Sequence, residues 1–432
     1  MKSSILSVSG RQIWDSRGRP TVEAEVMTRG GAVGRAAAPA GASRGAYEAI
    51  EVRDGGKRFG GLGVERAVAA VNGEIAHGLA GFDVRDQMGL DHGLEAIDGT
   101  ANFGRLGANA TVAVSLAAMH AAAADEGVPT WRWLAQGRAT RMPMPEIQIF
   151  GGGAHAGRRT DVQDFMVMCP RAGSVRRALE ITADVYRAAG DLMSERGALM
   201  GVADEGGWWP AFESNEAVLE ALTAAIDRAG HRPGEDVFIS LDVAANELAH
   251  GDRYRLPLDG AELSSAEMVE RVAGWVGAYP ILSIEDPVGQ DDGSGMASAT
   301  QRLGDHVQVI GDDFLVTDAA RVRRAAQDGA CNAVLVKVNQ AGTVSRAKAA
   351  LEASREAGWS AIVSARSGET EDVSICHLAV GWDAGQIKVG SFARSERMAK
   401  WNELLRIEAQ MGGRADFAGG GALPAAVRAQ FA

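Results

Sequence analysis

Residues 280–288 read PILSIEDPV, an apolar run from Ile281 to Ile284 that stops at two acids, Glu285 and Asp286. A run this short, bounded by prolines, has the length of a strand buried on both faces, as in a parallel sheet. One such strand decides nothing, but the pattern recurs on either side with helical segments between. FISLDVAANE (238–247) ends its run at Asp242, and VQVIGDDFLVT (307–317) at Asp312 and Asp313. NAVLVKVNQ (332–340) ends at Lys337, AIVSARSGE (361–369) at Arg366, and QIKVGS (386–391) carries Lys388. Short strands alternating with helices predict βα units around a parallel sheet. In an eight-stranded barrel all such strand ends open onto the one face where barrel enzymes hold their active sites. A single strand-end Asp is as readily a helix cap. Six charges in succession, acids first and bases afterwards, are not explained by capping.

Upstream the rhythm differs. SILSVSGRQIWDS (4–16), TVEAEVMTRG (21–30) and AVGRAAAPA (32–40) read as three strands closed by turn residues, and ANATVAVSLAAMHAAAADEG (108–127) as a tightly packed buried helix. Strands followed by helices predict a compact α+β cap. The prolines of RMPMPEIQIF (141–150) interrupt both patterns, which divides the chain into an N-terminal α+β cap domain, 1–140, and a C-terminal barrel domain, 141–432.

With 44 Lys and Arg against 56 Asp and Glu, the chain of 432 residues carries a net charge of −12. That balance argues against nucleic acid or a membrane surface as partner, since both need a positive face. Three cysteines without a C-x-x-C pair indicate neither a disulfide framework nor a thiolate zinc site. No secretory h-region opens the sequence, and it contains no long apolar run. The expectation is a soluble, cytoplasmic protein that holds any anionic ligand by local cations or metal.

The strand-end charges define a chemistry. Asp242, Glu285 and Asp312 form an all-oxygen set of the kind hard divalent cations prefer, which implies Mg²⁺. Lys337 stands on the next strand, near that metal and Lys388, where surrounding positive charge is expected to lower its pKa and suit it to act as a general base. A lysine base facing a carboxylate-bound metal points to proton abstraction next to a carboxylate. GVADEGGWWP (201–210) offers Glu205 as an acid on the opposite side, and GGGAHAGRRTDVQDF (151–165) offers His155, Arg158, Arg159 and Asp164 as a lid carrying cations.

DSRGRPTVEAEV, AAPAGAS, VADEGG, SIEDP, GDDFLVT, LVKVNQAG, RSGETED, QIKVGS and ARSERMAKWNELLRIE together resemble the enolase family over about residues 4 to 411. The resemblance implies an α/β, enolase-like fold, a modified (β/α)8 TIM barrel with an N-terminal α+β cap, usually dimeric. It also implies two Mg²⁺ ions per site and a small phosphorylated carboxylate as substrate. By the same resemblance Asp242, Glu285 and Asp312 hold the first Mg²⁺ and Ser43 the second. Lys337 is the base at C2, and Glu205 helps the 3-hydroxyl leave. Lys388 lies near the substrate carboxylate, Arg366 and Ser367 grip the phosphoryl group, and His155 closes over the substrate. Gln163 and Ala42 keep their family identities beside it. A lysine beside magnesium is the general solution of this superfamily.

The departures fall inside the site. Ala365 stands where enolases place a histidine before the arginine, and Asp164 where they place a second glutamate. PAGASRG (39–45) brings Ala40 and Arg44, and GGWWPAF brings Trp208 and Trp209. Losing an imidazole and a methylene makes room and removes support for water departure, while Arg44, Arg158 and Arg159 are expected to add positive charge at the mouth. The pattern is similar to the carboxyphosphonoenolpyruvate synthase branch, which joins a phosphonoformyl group to an enolpyruvyl unit, and implies a second anionic, phosphonate or nucleotide-activated, substrate. An ordinary enolase and a non-catalytic enolase-fold binding protein are the alternatives.

Overall fold

The computed structural model describes residues 1–42 and 44–431. Its N-terminal part is an antiparallel meander of β1 (Ile5–Trp14), β2 (Pro20–Thr28) and β3 (Val33–Ala37). Helix α1 (Ala108–Asp125) packs across β2 and β3 and is buried almost all round. Its alanines permit that depth because they bury no long side chain and lose no rotamer freedom. Gly34 marks the crossing, for a Cβ there would stand 2.0 Å from the Ala117 carbonyl oxygen.

Eight strands then close a barrel in the order β4 (Met144–Gly151), β5 (Asp164–Met168), β6 (Phe238–Asp242), β7 (Ile281–Glu285), β8 (Gln308–Gly311), β9 (Ala333–Val336), β10 (Ser360–Ser364) and β11 (Gly385–Ser391), with β11 pairing back to β4. From β6 onward every neighbour pair is parallel. β5 is the exception to the expected run of βα units. It is antiparallel to both β4 and β6, because residues 152–163 double back as a loop instead of crossing over through a helix. The reversal puts the start of β5 at the face where the other strands end, so Asp164 reaches the same rim, in register with Asp242.

Beneath the rim the barrel interior is partly polar. Gln308 Nε2 donates to Gln386 Oε1 and Ser283 Oγ at 3.1 Å each and to Glu146 Oε1 at 3.4 Å. Burial pushes the Glu146 carboxyl up to about 7. At the opposite end, Leu423 and Val427 of the C-terminal segment seat against Met144, Met168, Phe238 and Leu282 and close the floor. No helix among the described residues is long and apolar enough to cross a membrane.

Candidate active site

The rim gathers the charges that end each strand. Asp242 and Glu285 are register partners on β6 and β7, Asp312 and Lys337 directly follow β8 and β9, and Lys388 lies on β11 beside Ser364 of β10. Lys388 Nζ donates to Asp242 Oδ2 at 2.8 Å and Glu285 Oε2 at 2.7 Å, and lies 3.9 Å from Asp164 Oδ2. Burial alone would depress this ammonium, but Asp242 and Glu285 outweigh burial and hold its pKa well above the ordinary lysine range. Lys337 donates to Asp312 Oδ2, whose other oxygen accepts from Gln340 Nε2 at 2.8 Å. The sequence expectation of a lowered Lys337 pKa is therefore corrected. Burial, Arg366 and Lys388 do push it down, but contact with Asp312 reverses the sign and leaves it raised.

A second chain of contacts crosses the pocket. Asp164 Oδ1 accepts from Gln148 Nε2 and from His155 Nδ1, the latter at 3.0 Å, while His155 Nε2 lies 3.1 Å from Ser367 Oγ and 3.7 Å from Glu205 Oε1. Burial disfavours an imidazolium, yet Asp164 and Glu205 outweigh it and lift His155 to about 9. Asp164 is correspondingly lowered to about 2: burial opposes ionisation, and the neighbouring His155 overcomes it. His155 thus keeps both ring protons at neutral pH. One goes to Asp164 and the other to Ser367, whose hydroxyl also accepts the Ala42 N–H at 3.2 Å. With its oxygen accepting twice, the Ser367 proton is left to donate.

Arg366 is clasped by the cap. Its Nη1 donates to Glu48 Oε2 at 3.0 Å and to Asn339 Oδ1 at 3.1 Å, and its Nη2 to Glu48 Oε1 at 3.2 Å. Arg397 donates to the carbonyls of Arg366 and Ser367 from behind, and Lys400 lies 3.1 Å from Glu369 Oε2. The loop that carries Arg366 and Ser367 is therefore fixed on its buried side by two further cations. His155, Gln163, Glu205, Lys337, Lys388 and Arg366 all line one pocket with Ala365 at its wall. Its free room is ≈ 20 Å³, about one water, so a substrate enters only when the lid or the lysine side chains move.

Three expected cations lie elsewhere. Arg44 is exposed and pairs with Glu51 at 3.0 Å, Arg158 reaches out to Glu247 at 2.7 Å, and Arg159 is exposed. None of them lines the pocket; Arg158 lines a neighbouring groove of ≈ 380 Å³. Ser43 lies outside the described residues. Trp208 stacks on Tyr186 with ring centroids 4.6 Å apart, and Trp209 packs under Gly157 of the lid, so both tryptophans brace loops and neither lines the pocket. Sequence reasoning missed Glu48, Gln148 and Asp286. Asp286 accepts the N–H groups of Asp312 and Asp313 at 2.9 and 2.7 Å, which aims Asp312 at the rim. Its position directly after Glu285 was the available signal.

The rim residues fit a divalent cation. Asp242, Glu285 and Asp312 face the two lysine ammoniums, and Glu285 Oε1 is buried with no hydrogen-bond partner. Burial, and then the charge of Asp242, drives the Glu285 pKa well above its ordinary value. A site with an orphaned carboxylate oxygen and excess negative charge accommodates a hard cation. Among the described residues, Asp286, Asp312 and Asp313 also bring ligand atoms within 4.8 Å of one another, but both Asp286 oxygens are already engaged by backbone.

Comparison with known families gives two matches in tandem. Residues 5–134 match the family described as "Enolase, N-terminal domain", and residues 139–425 the one described as "Enolase, C-terminal TIM barrel domain".

Proposed function

Because the chain belongs to the enolase family, we propose that it is a Mg²⁺-dependent enzyme acting at C2 of a 2-phosphoglycerate or phosphoenolpyruvate type of substrate, specialised as a carboxyphosphonoenolpyruvate synthase is. In this reading an oxygen of the phosphonoformyl phosphorus bonds to C2 of the enolpyruvyl unit as the C2–O bond to the phosphoryl group breaks, so that inorganic phosphate is the leaving group. The observation that carries the specialisation is Ala365. It forms the pocket wall between Lys388 and Arg366 and offers no proton donor, while Lys337, Lys388, Glu205, Asp164 and His155 converge on the same space.

The roles follow from the contacts. Lys337 Nζ takes the C2 proton of the 2-phosphoglycerate type of substrate, which requires that Asp312 be engaged elsewhere so that the amine can lose its own proton. Mg²⁺ held by Asp242, Glu285 and Asp312, with Ser43 at a second ion, would neutralise those carboxylates and stabilise the negative charge that develops on the substrate carboxylate. Lys388 faces that carboxylate. Arg366 and the free Ser367 proton bind the phosphoryl oxygens, with Ala42 supporting Ser367. Imidazolium His155, fixed by Asp164, keeps a proton beside Glu205, and Gln163 orients Asp242 through its 3.2 Å hydrogen bond. We assign no substrate contact to Arg44, Arg158 or Arg159.

The second reading is an ordinary enolase. It is favoured by the contacts among His155, Asp164 and Glu205, which keep an acid in the same pocket as Lys337 even with Asp164 one methylene shorter than the family's glutamate. Incubation with 2-phosphoglycerate and Mg²⁺ in D₂O separates the two. Deuterium exchange at C2 with little dehydration supports the specialised enzyme, and rapid phosphoenolpyruvate formation supports the ordinary one. Adding phosphonoformate, free or nucleotide-activated, is expected to give a new phosphonate-ester resonance by phosphorus NMR. The specialised reading fails if none appears while dehydration runs at full speed.

A further inference from the structure

At the end of the barrel opposite Lys337 and Lys388 lies a cleft of ≈ 340 Å³, bounded by the linker entering β4, the starts of β10 and β11, and the C-terminal segment 421–428. Four arginines line it: Arg138, Arg141, Arg355 and Arg428. Among the described residues Asp383 is the only carboxylate that lines it.

The Asp383 carboxylate and the Trp382, Asp383 and Ala422 carbonyls already accept bonds. The Asp383 carboxylate takes three bonds from Arg141, through its backbone N, Nε and Nη2, each at 3.0 Å. Arg355 donates to the Trp382 and Asp383 carbonyls, the latter at 3.0 Å, and its Nη1 is held by Glu352 at 3.3 Å. Ser360 Oγ donates to the Ala422 carbonyl at 2.7 Å.

The donors, by contrast, are left open. Arg138 uses only its Nε, to the Ala135 carbonyl at 3.1 Å. Among the described residues neither the Arg428 guanidinium nor the Trp359 indole N–H has a hydrogen bond or ion pair. Guanidinium forks in one cleft whose lining acid, Asp383, is already paired with Arg141 match an acceptor-rich ligand of phosphate geometry. In a chain of net charge −12 this is a local reversal of sign that bulk composition hides.

We propose that this cleft is a binding site for a small polyvalent oxyanion of the pyrophosphate or phosphate-ester class, held between Arg138 of the linker and Arg428 of the C-terminal segment, with Arg141 and Trp359 completing the walls. A ligand there ties together the linker that joins cap to barrel and the segment that closes the barrel floor. It is independent of the chemistry at the rim.

The probe is sodium pyrophosphate, titrated calorimetrically into the full chain, with amide hydrogen exchange read in parallel. Wild type and R366Q are expected to bind it, with slowed exchange at residues 136–142 and 419–428. R138Q/R428Q is expected to lose about tenfold or more in affinity, the equivalent of one charge-assisted hydrogen bond. R428K, which keeps the charge but not the fork, is expected to bind more weakly than wild type and more tightly than R138Q/R428Q, and its retained binding controls for a folding defect. The proposal is overturned if R366Q abolishes binding while R138Q/R428Q binds as wild type, since the anion then sits at the rim. It is equally overturned if all variants bind alike, or if wild type shows neither heat nor slowed exchange.

Discussion

The cap grips the Arg366 guanidinium through a two-pronged ion pair from Glu48, with N–O distances of 3.0 and 3.2 Å and side-chain exposures of 7% for Glu48 and 3% for Arg366. Burial by itself would depress the Arg366 pKa, and the charge of Glu48 more than reverses that. With charge centres about 4 Å apart and an effective dielectric near 20, the Coulomb attraction is about 4 kcal/mol. Removing one partner of a buried pair typically costs about 3–5 kcal/mol, because the other charge is stranded. Glu48→Gln keeps the shape and the hydrogen bonds to the Gly45 N–H and Gln340, so a loss of about 3 kcal/mol is expected from charge alone. The assay is a double-mutant cycle in urea with Glu48→Gln, Arg366→Met and the pair. If the geometry means what it says, the double variant loses at least about 2 kcal/mol less than the sum of the singles. Additivity within about 0.5 kcal/mol would refute the reasoning and reduce the contact to a spectator.

Three further outcomes are expected. His377 sits 5.8 Å ring to ring from His120, and burial, then the charge of His120, lowers it from 6.5 to about 4. The unfolded chain binds a proton across that window that the fold refuses. Stability is therefore full above pH 6.5 and falls as pH drops toward 4, by up to about 3 kcal/mol; His377→Gln should flatten the urea-midpoint profile, and an unchanged slope would discount the burial argument. Glu285→Gln should gain no thermal stability from Mg²⁺, whereas wild type at a hundredfold excess over Kd gains about 2.7 kcal/mol; equal Mg²⁺ stabilisation of both proteins would remove Glu285 from the ion site. Ala365→His should raise dehydration relative to C2 exchange by about a hundredfold, the lower range for a placed general acid, as read by NMR in D₂O; an unchanged ratio with exchange intact would show that Ala365 does not limit water loss.

What the sequence made legible and what it hid divide along a physical line. Apolar runs that stop at charges announce both a buried strand and its open end, so Asp242, Glu285, Lys337 and Lys388 could be placed on one rim without coordinates. Chain direction carries no such mark. DFMVM is equally apolar read either way, and the reversal of β5 shows only in the pairing. Sign is visible in a sequence, whereas direction of projection is not, which is why Arg44, Arg158 and Arg159 were expected at the mouth and are found against Glu51, against Glu247 and in solvent. Contacts across long separations were out of reach for the same reason, and Glu48 lies 318 residues from Arg366. The Lys337 pKa went the wrong way because counting neighbouring cations ignores contact, and one touching carboxylate outweighs several more distant ammoniums.

Lys388 is bonded to the same two carboxylates that fit a cation, and Lys337 to the third. Each lysine is therefore committed to a carboxylate that its proposed task requires it to leave, Lys388 for the substrate carboxylate and Lys337 for the C2 proton. An ion held by Asp242, Glu285 and Asp312 would release both at once, and by linkage a substrate that engaged the lysines would free the acids for the ion. Metal and substrate affinities must then rise together. This coupling needs no moving domain, only three carboxylates too many for two ammoniums, a surplus the structure records in the unpartnered Glu285 oxygen.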